Sequence, residues 1–159
     1  MREAVIKTIT DPDFGALDLI ETQADPRIDG RAPAKYQTLL GKCPPPNDCM
    51  LIISSEEELA RIPAVMRESF RRVLGDLDAM KSRVAEKNLD LAREWAEAGD
   101  LELDLDTSKL AGLLKLDGVD VSGQRLTLYF IEDAEIFADN VLETRLDENG
   151  EITETCLAG

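Results

Sequence analysis

The 159 residues carry 18 Lys and Arg against 33 Asp and Glu, a formal net charge of −15, and 43% are apolar. That apolar content supports a core, and the length predicts a single domain over 1–159. There is no His, which excludes a Ser-His-Asp or Cys-His nucleophilic site, His-ligated zinc and a His-based pH switch within the chain.

The charge is uneven. Residues 1–54 hold six basic and eight acidic groups, residues 55–98 eight and ten, and residues 99–159 four and fifteen. The last segment thus carries net −11. Such a surface repels nucleic acid and anionic membranes and attracts basic proteins. No apolar run has the ~20 residues of a membrane helix, and no signal-peptide core is visible, so a cytoplasmic protein is expected. In that compartment Cys43, Cys49 and Cys156 are expected as thiols, although the Pro44–Asp48 loop also allows a Cys43–Cys49 bridge.

In chain order, the first half reads as a meander of antiparallel strands. Strands are predicted over Glu3–Thr10, Phe14–Glu21, Lys35–Leu40 and Met50–Ile53. Turns are predicted at Asp11–Asp13 and Asp25–Gly30, and Pro44–Pro46 breaks regular structure. Ser55-Glu-Glu-Glu58 is a capping box opening the helical region 55–98. Pro63 must kink or restart the helix, and Gly75-Asp76 predicts a second break. Met66, Phe70, Val73, Leu74, Leu77, Met80, Val84, Leu91 and Trp95 form one apolar stripe.

After Gly99, Leu101–Asp106 alternates apolar and acidic residues, as on a strand face. Asp106 or Thr107 caps a short helix over Ser108–Leu114. Strands follow at Lys115–Ser122, Arg125–Ile131, Asn140–Leu146 and Glu151–Leu157, the last pair joined through Asn149-Gly150. The whole is α+β: antiparallel N-terminal strands, central amphipathic helices and an acidic third whose antiparallel sheet ends in a hairpin.

Two carboxylate clusters could carry chemistry. Asp100, Glu102, Asp104 and Asp106 would share one strand face, but they lack the turn Gly and closing Glu of a calcium loop. Glu132, Asp133, Glu135 and Asp139 are mixed with Phe130, Ile131, Ile136 and Phe137. That mixture fits the rim of an interface for a basic protein better than a reaction centre. No phosphate loop, GxGxxG or Gly-x-Ser-x-Gly occurs. No cofactor or metal is expected.

The segment Leu126–Gly159 resembles an uncharacterised bacterial family, domain of unknown function 2262. The positions that carry the resemblance are Tyr129, Phe130, Glu132, Asp133, Ile136, Phe137, Leu146, Asp147, Gly150, Ala158 and Gly159. Upstream, Asp13-Phe14-Gly15 is similar to that family's opening motif, and Trp95 falls where members often carry Trp. Where relatives often have Gly-His, this chain has Asp139-Asn140. The family has no established activity to transfer. Small acidic proteins of this pattern are similar in type to immunity proteins of bacterial toxin systems.

The reading is therefore a non-enzymatic acidic binding protein, an immunity protein that occludes the active site of a basic toxin. Its contact residues would be Glu132, Asp133, Glu135, Phe137 and Asp139. The alternative is a carboxylate- or divalent-metal-dependent enzyme.

Overall fold

A computed structural model describes residues 2–23 and 35–159; the turn predicted at Asp25–Gly30 lies outside them. Eight strands form one sheet whose spatial order is the chain order: β1 Arg2–Asp11, β2 Gly15–Gln23, β3 Lys35–Lys42, β4 Met50–Ile53, β5 Lys115–Val121, β6 Leu126–Ile131, β7 Val141–Leu146 and β8 Ile152–Ala158. Neighbours are antiparallel except β4 and β5, which are parallel through Met50↔Gly118, Leu51↔Val119 and Ile52↔Asp120. The two predicted sheets are thus halves of one. Between them run helices α1 Glu56–Arg61, α2 Ala64–Gly75, α3 Leu77–Ala98 and α4 Thr107–Leu113. A parallel pair needs a long crossover, and these helices supply it.

Local chemistry sets the helix limits. Ser55 Oγ accepts the Glu58 N–H at 3.0 Å. Glu58 does not reach back to complete the box; its carboxylate accepts the Gly123 N–H at 2.6 Å and ties α1 to the β5–β6 turn. Pro63 stands at the N-cap of α2, where its missing N–H costs nothing. Asp76 ends α2 and caps α3 by accepting the Ala79 N–H. Asp106 caps α4 through the Lys109 N–H.

The helices cover one face of the sheet. Leu17, Leu19, Leu39, Leu51, Ile53, Val119, Val121, Leu126, Leu128, Phe130, Leu142 and Leu146 are buried there, against Met66, Phe70, Val73, Met80 and Val84. On α3 the buried line is Met80, Val84, Asn88, Ala92 and Ala96, so Trp95 stands at the margin of the predicted stripe rather than inside it. Small side chains on that line let the helix approach the sheet closely. Asn88 is buried but satisfied: it donates to the Val84 carbonyl at 2.8 Å and to Thr155 Oγ1 at 3.1 Å.

Two hairpin ends depart from expectation. The β3–β4 register Lys42↔Met50 sets Cys43 opposite Cys49. They are bridged, with Cα atoms 5.3 Å apart, which corrects the expectation of free thiols. A Cys43→Ser/Cys49→Ser variant is expected to lose about 2 kcal/mol of stability, since a short closed loop restrains the unfolded chain by that order. Urea unfolding of both proteins without reductant measures the loss, and reductant should bring the parent down to the variant. The β7–β8 turn runs from Asp147 to Glu151, with only Gly150 at positive φ (77°), and is wider than a two-residue Asn-Gly turn. Helix side chains hold it: Ser69, Arg72 and Arg83 donate to the carbonyls of Glu148, Asn149 and Gly150.

Candidate partner-binding surface

The turn 132–139 joins β6 to β7. Glu132 folds into it: one carboxylate oxygen accepts the Phe137 N–H at 3.0 Å. Its other oxygen is buried and has no partner among the described residues. Ile136 and Phe137 plug the core, each at most 2% exposed. Asn140 closes the turn, donating its backbone and side-chain N–H groups to the Phe137 carbonyl, both at 3.0 Å. Asn140 thus has a hydrogen-bonding role in the turn. A Cβ on Gly159 would meet the Asn140 side-chain oxygen and require it to shift.

Asp133, Glu135 and Asp139 are exposed on this turn. Asp133 is paired with Lys115. The expected contact set is therefore split. Three members are on the surface, Glu132 is partly engaged inside the turn, and Phe137 is a core residue that no partner could touch without opening the fold.

Trp95, which continues the apolar stripe of the sequence, has a second aspect. Its indole is 36% exposed while its ring meets Phe137 edge to face, centroids 6.2 Å apart. This contact sets the end of α3 beside the acidic turn. Around it Glu94, Glu97 and Asp100 are exposed. The following residues, Leu101–Asp106, have no regular secondary structure, so the predicted strand is absent. The alternation still sorts the side chains: Leu105 is buried and Leu101 and Leu103 half-buried, while Glu102, Asp104 and Asp106 face solvent. No acidic group among the described residues is arranged to hold a metal ion.

The electrostatics at this end are unusual for a helix terminus. A helix C-terminus is the negative end of the dipole and is stabilised by Lys or Arg. The last turn of α3 has no basic residue, and Glu94 and Glu97 add to the negative potential. The three non-glycine residues at positive φ among the described residues, Asp100, Glu135 and Ala138, all lie in these two segments. The signal available in the sequence was an aromatic followed by carboxylates at a helix end, set against the dipole rule.

The sheet face away from the helices is a second feature. Pairing aligns Asp18, Leu40, Ile52, Asp120, Thr127 and Arg145 in one row, and Lys42, Met50, Gly118, Tyr129, Glu143 and Cys156 in the next. Cys156 is a half-buried free thiol on this face. Burial pushes the Asp120 carboxyl above its ordinary value; Arg125 opposes this, and Glu58 and Glu143 add to it. Tyr129 is raised likewise, by burial and then by the Asp120 and Glu143 charges. Glu143 accepts two hydrogen bonds from Arg145, which also pairs with Glu154.

A cleft of about 850 Å3 lies elsewhere, between the β1–β2 turn and the Pro44–Asp48 loop. Asp13 in its wall is held by Arg67 and Arg71, which suits structure rather than proton transfer. No family model, curated protein or solved structure matches the chain. No helix among the described residues is long and apolar enough to cross a membrane.

Proposed function

We propose that the protein is a non-enzymatic binding protein whose acidic end captures a basic protein. In its particular form it is an immunity protein that covers the substrate cleft of a basic bacterial toxin, in the cytoplasm. One observation carries this reading. The Trp95–Phe137 contact gathers two acidic segments, 94–106 and 132–139, around a half-exposed indole. Interfaces concentrate their energy in an aromatic anchor ringed by polar groups, and Trp is prominent among such anchors. The carboxylates steer a basic partner to the anchor and oppose anionic ligands. The likeness of Leu126–Gly159 to the bacterial family, and the type-level likeness to immunity proteins, supply the particular form.

The test is affinity capture of the tagged protein from its own cells at low and high salt, followed by association kinetics with what is retained. Glu97→Lys/Glu135→Lys/Asp139→Lys is expected to slow association about tenfold and to flatten its salt dependence. Trp95→Ala is expected mainly to speed dissociation, by about 2 kcal/mol in affinity. Melting curves of both variants verify that they are folded. A partner that binds both variants like the parent would overturn the surface. Absence of any retained basic protein would overturn the function.

A further inference from the structure

The uncovered sheet face departs from the rule for antiparallel sheets, which carry polar side chains on a face left to water. Val5, Tyr36 and Met50 are 59%, 55% and 51% exposed, and Val5 and Tyr36 belong to the same face by register, opposite Ile20 and Thr22. Ile20, Leu40, Ile52 and Tyr129 are half-buried between them. Asp120 sits within this apolar surface at the central β5 strand, beside Ile52 and opposite Thr127. Next along β5 is Gly118, buried between Met50 and Tyr129, with the Tyr129 ring packed against the space a Cβ would fill. Asp120 enters none of the ion pairs among the described residues; its cationic neighbour, Arg125, acts only at longer range.

A half-buried carboxylate without an ion partner, set in apolar surface, selects what can cover it. A second copy of this chain would bring Asp18 and Asp120 against the same groups; its Arg145 is already taken by Glu143 and Glu154, only Lys42 among the described residues is left to oppose them, and each molecule carries net charge −15. Like charges at an interface core cost several kcal/mol. An anionic ligand fails for the same reason. A long basic side chain fits both parts of the surface, because its stem covers apolar groups while its head meets a carboxylate. The face also continues into the acidic end: Ile131, on the same face as Tyr129, is followed by the turn 132–139.

We propose that the uncovered sheet face is the deeper part of the partner-binding surface, where an Arg or Lys of the bound basic protein lies across Tyr129 and Ile52 and pairs with Asp120. This rests on the reading of the protein as a binder of basic proteins. It adds the anchor chemistry: one cationic side chain in an apolar setting, beyond the general attraction of the acidic end.

The test uses the full chain, labelled with 15N, and a synthetic hexa-arginine peptide as the probe, at about 150 mM salt to screen loose surface attraction. The expected result is amide shifts centred on Gly118–Val121 and Thr127–Ile131, with Asp120→Asn weakening affinity about fivefold, equivalent to about 1 kcal/mol. Glu135→Gln/Asp139→Asn, the comparison variant, should weaken it less than Asp120→Asn does. Asp120→Asn removes a poorly solvated charge without changing shape, so its melting temperature at pH 7 should equal or exceed the parent's. Shifts confined to residues 94–106 and 132–139, with Asp120→Asn neutral, would overturn the sheet-face anchor and leave the acidic-end reading standing. No shift at either place would also overturn the anchor, while the capture experiment decides the partner reading separately.

Discussion

Phe137→Ala is expected to destabilise the fold by about 4 kcal/mol, the range for a buried Phe reduced to Ala. The ring is 1% exposed, packs edge to face on Trp95, and its own N–H and carbonyl are both engaged inside the turn. Against a typical stability of 5–15 kcal/mol, that loss is large enough to unfold a considerable fraction of the molecules on warming. Urea titration reads it as a fall in midpoint at constant slope. The result separates the two roles Phe137 could have. An exposed anchor would lose partner affinity at unchanged stability, whereas a core plug loses stability first. A midpoint equal to the parent's would return Phe137 to the surface.

Arg67→Ala is expected to cost about 3 kcal/mol, because removing one member of a desolvated charge network leaves the others uncompensated. Arg67, 17% exposed in its side chain, pairs with Asp11 at 2.8 Å and Asp13 at 3.0 Å. It donates to the carbonyl of Ile62 and to that of Leu59, which also accepts the Ile62 N–H where α1 ends before Pro63, and lies over the Phe14 ring at 4.9 Å. One guanidinium therefore pins the β1–β2 turn to the broken helix. Arg67→Lys should recover only part of the loss, since an ammonium lacks the planar fork of donors.

The same cluster sets a pH dependence. Burial alone would raise the Asp11 carboxyl, but N–H groups of Asp13 and Phe14 and the Arg67 guanidinium outweigh it and hold it below the ordinary 3.8. A carboxylate depressed in the folded state contributes fully above its unfolded value and loses that contribution as the pH falls through the folded one. The gap between parent and Arg67→Ala should accordingly be widest near neutrality and narrow below about pH 4. A gap of constant size from pH 7 to pH 2 would refute the assignment.

What was legible in the sequence is what local chemistry decides. Ser55, Asp76 and Asp106 cap helices as their positions imply, and Pro63 and Gly75-Asp76 divide the helices where expected. All eight strands were recognisable from their patterns. Pairing between distant strands was not, because β4 reads as a short apolar run whether its next neighbour is parallel or antiparallel. Leu101–Asp106 has strand alternation without a partner: its leucines bury beside α3 while its backbone pairs with no strand. Phe137 was misplaced because an aromatic amid carboxylates looks exposed, whereas the chain turns it inward between Glu132 and Asn140. The capping-box pattern points Glu58 at its own helix end, and nothing local tells that Gly123 lies within its reach. The Asp120 environment was invisible for the same reason, since its neighbours come from β4, β6 and β7.

The single parallel ladder divides the conformational search unevenly. Every other ladder is antiparallel and joins strands close together in the chain, so each half can form hairpin by hairpin from nearby segments. The β4–β5 ladder alone requires a loop holding helices α1–α4 to close, for three residue pairs in return. Loop-closure entropy is thus concentrated in one seam. The helical layer bridges that seam: Glu58 reaches the β5–β6 turn and Arg67 the β1–β2 turn. The halves are held together across the helices as well as along the strands.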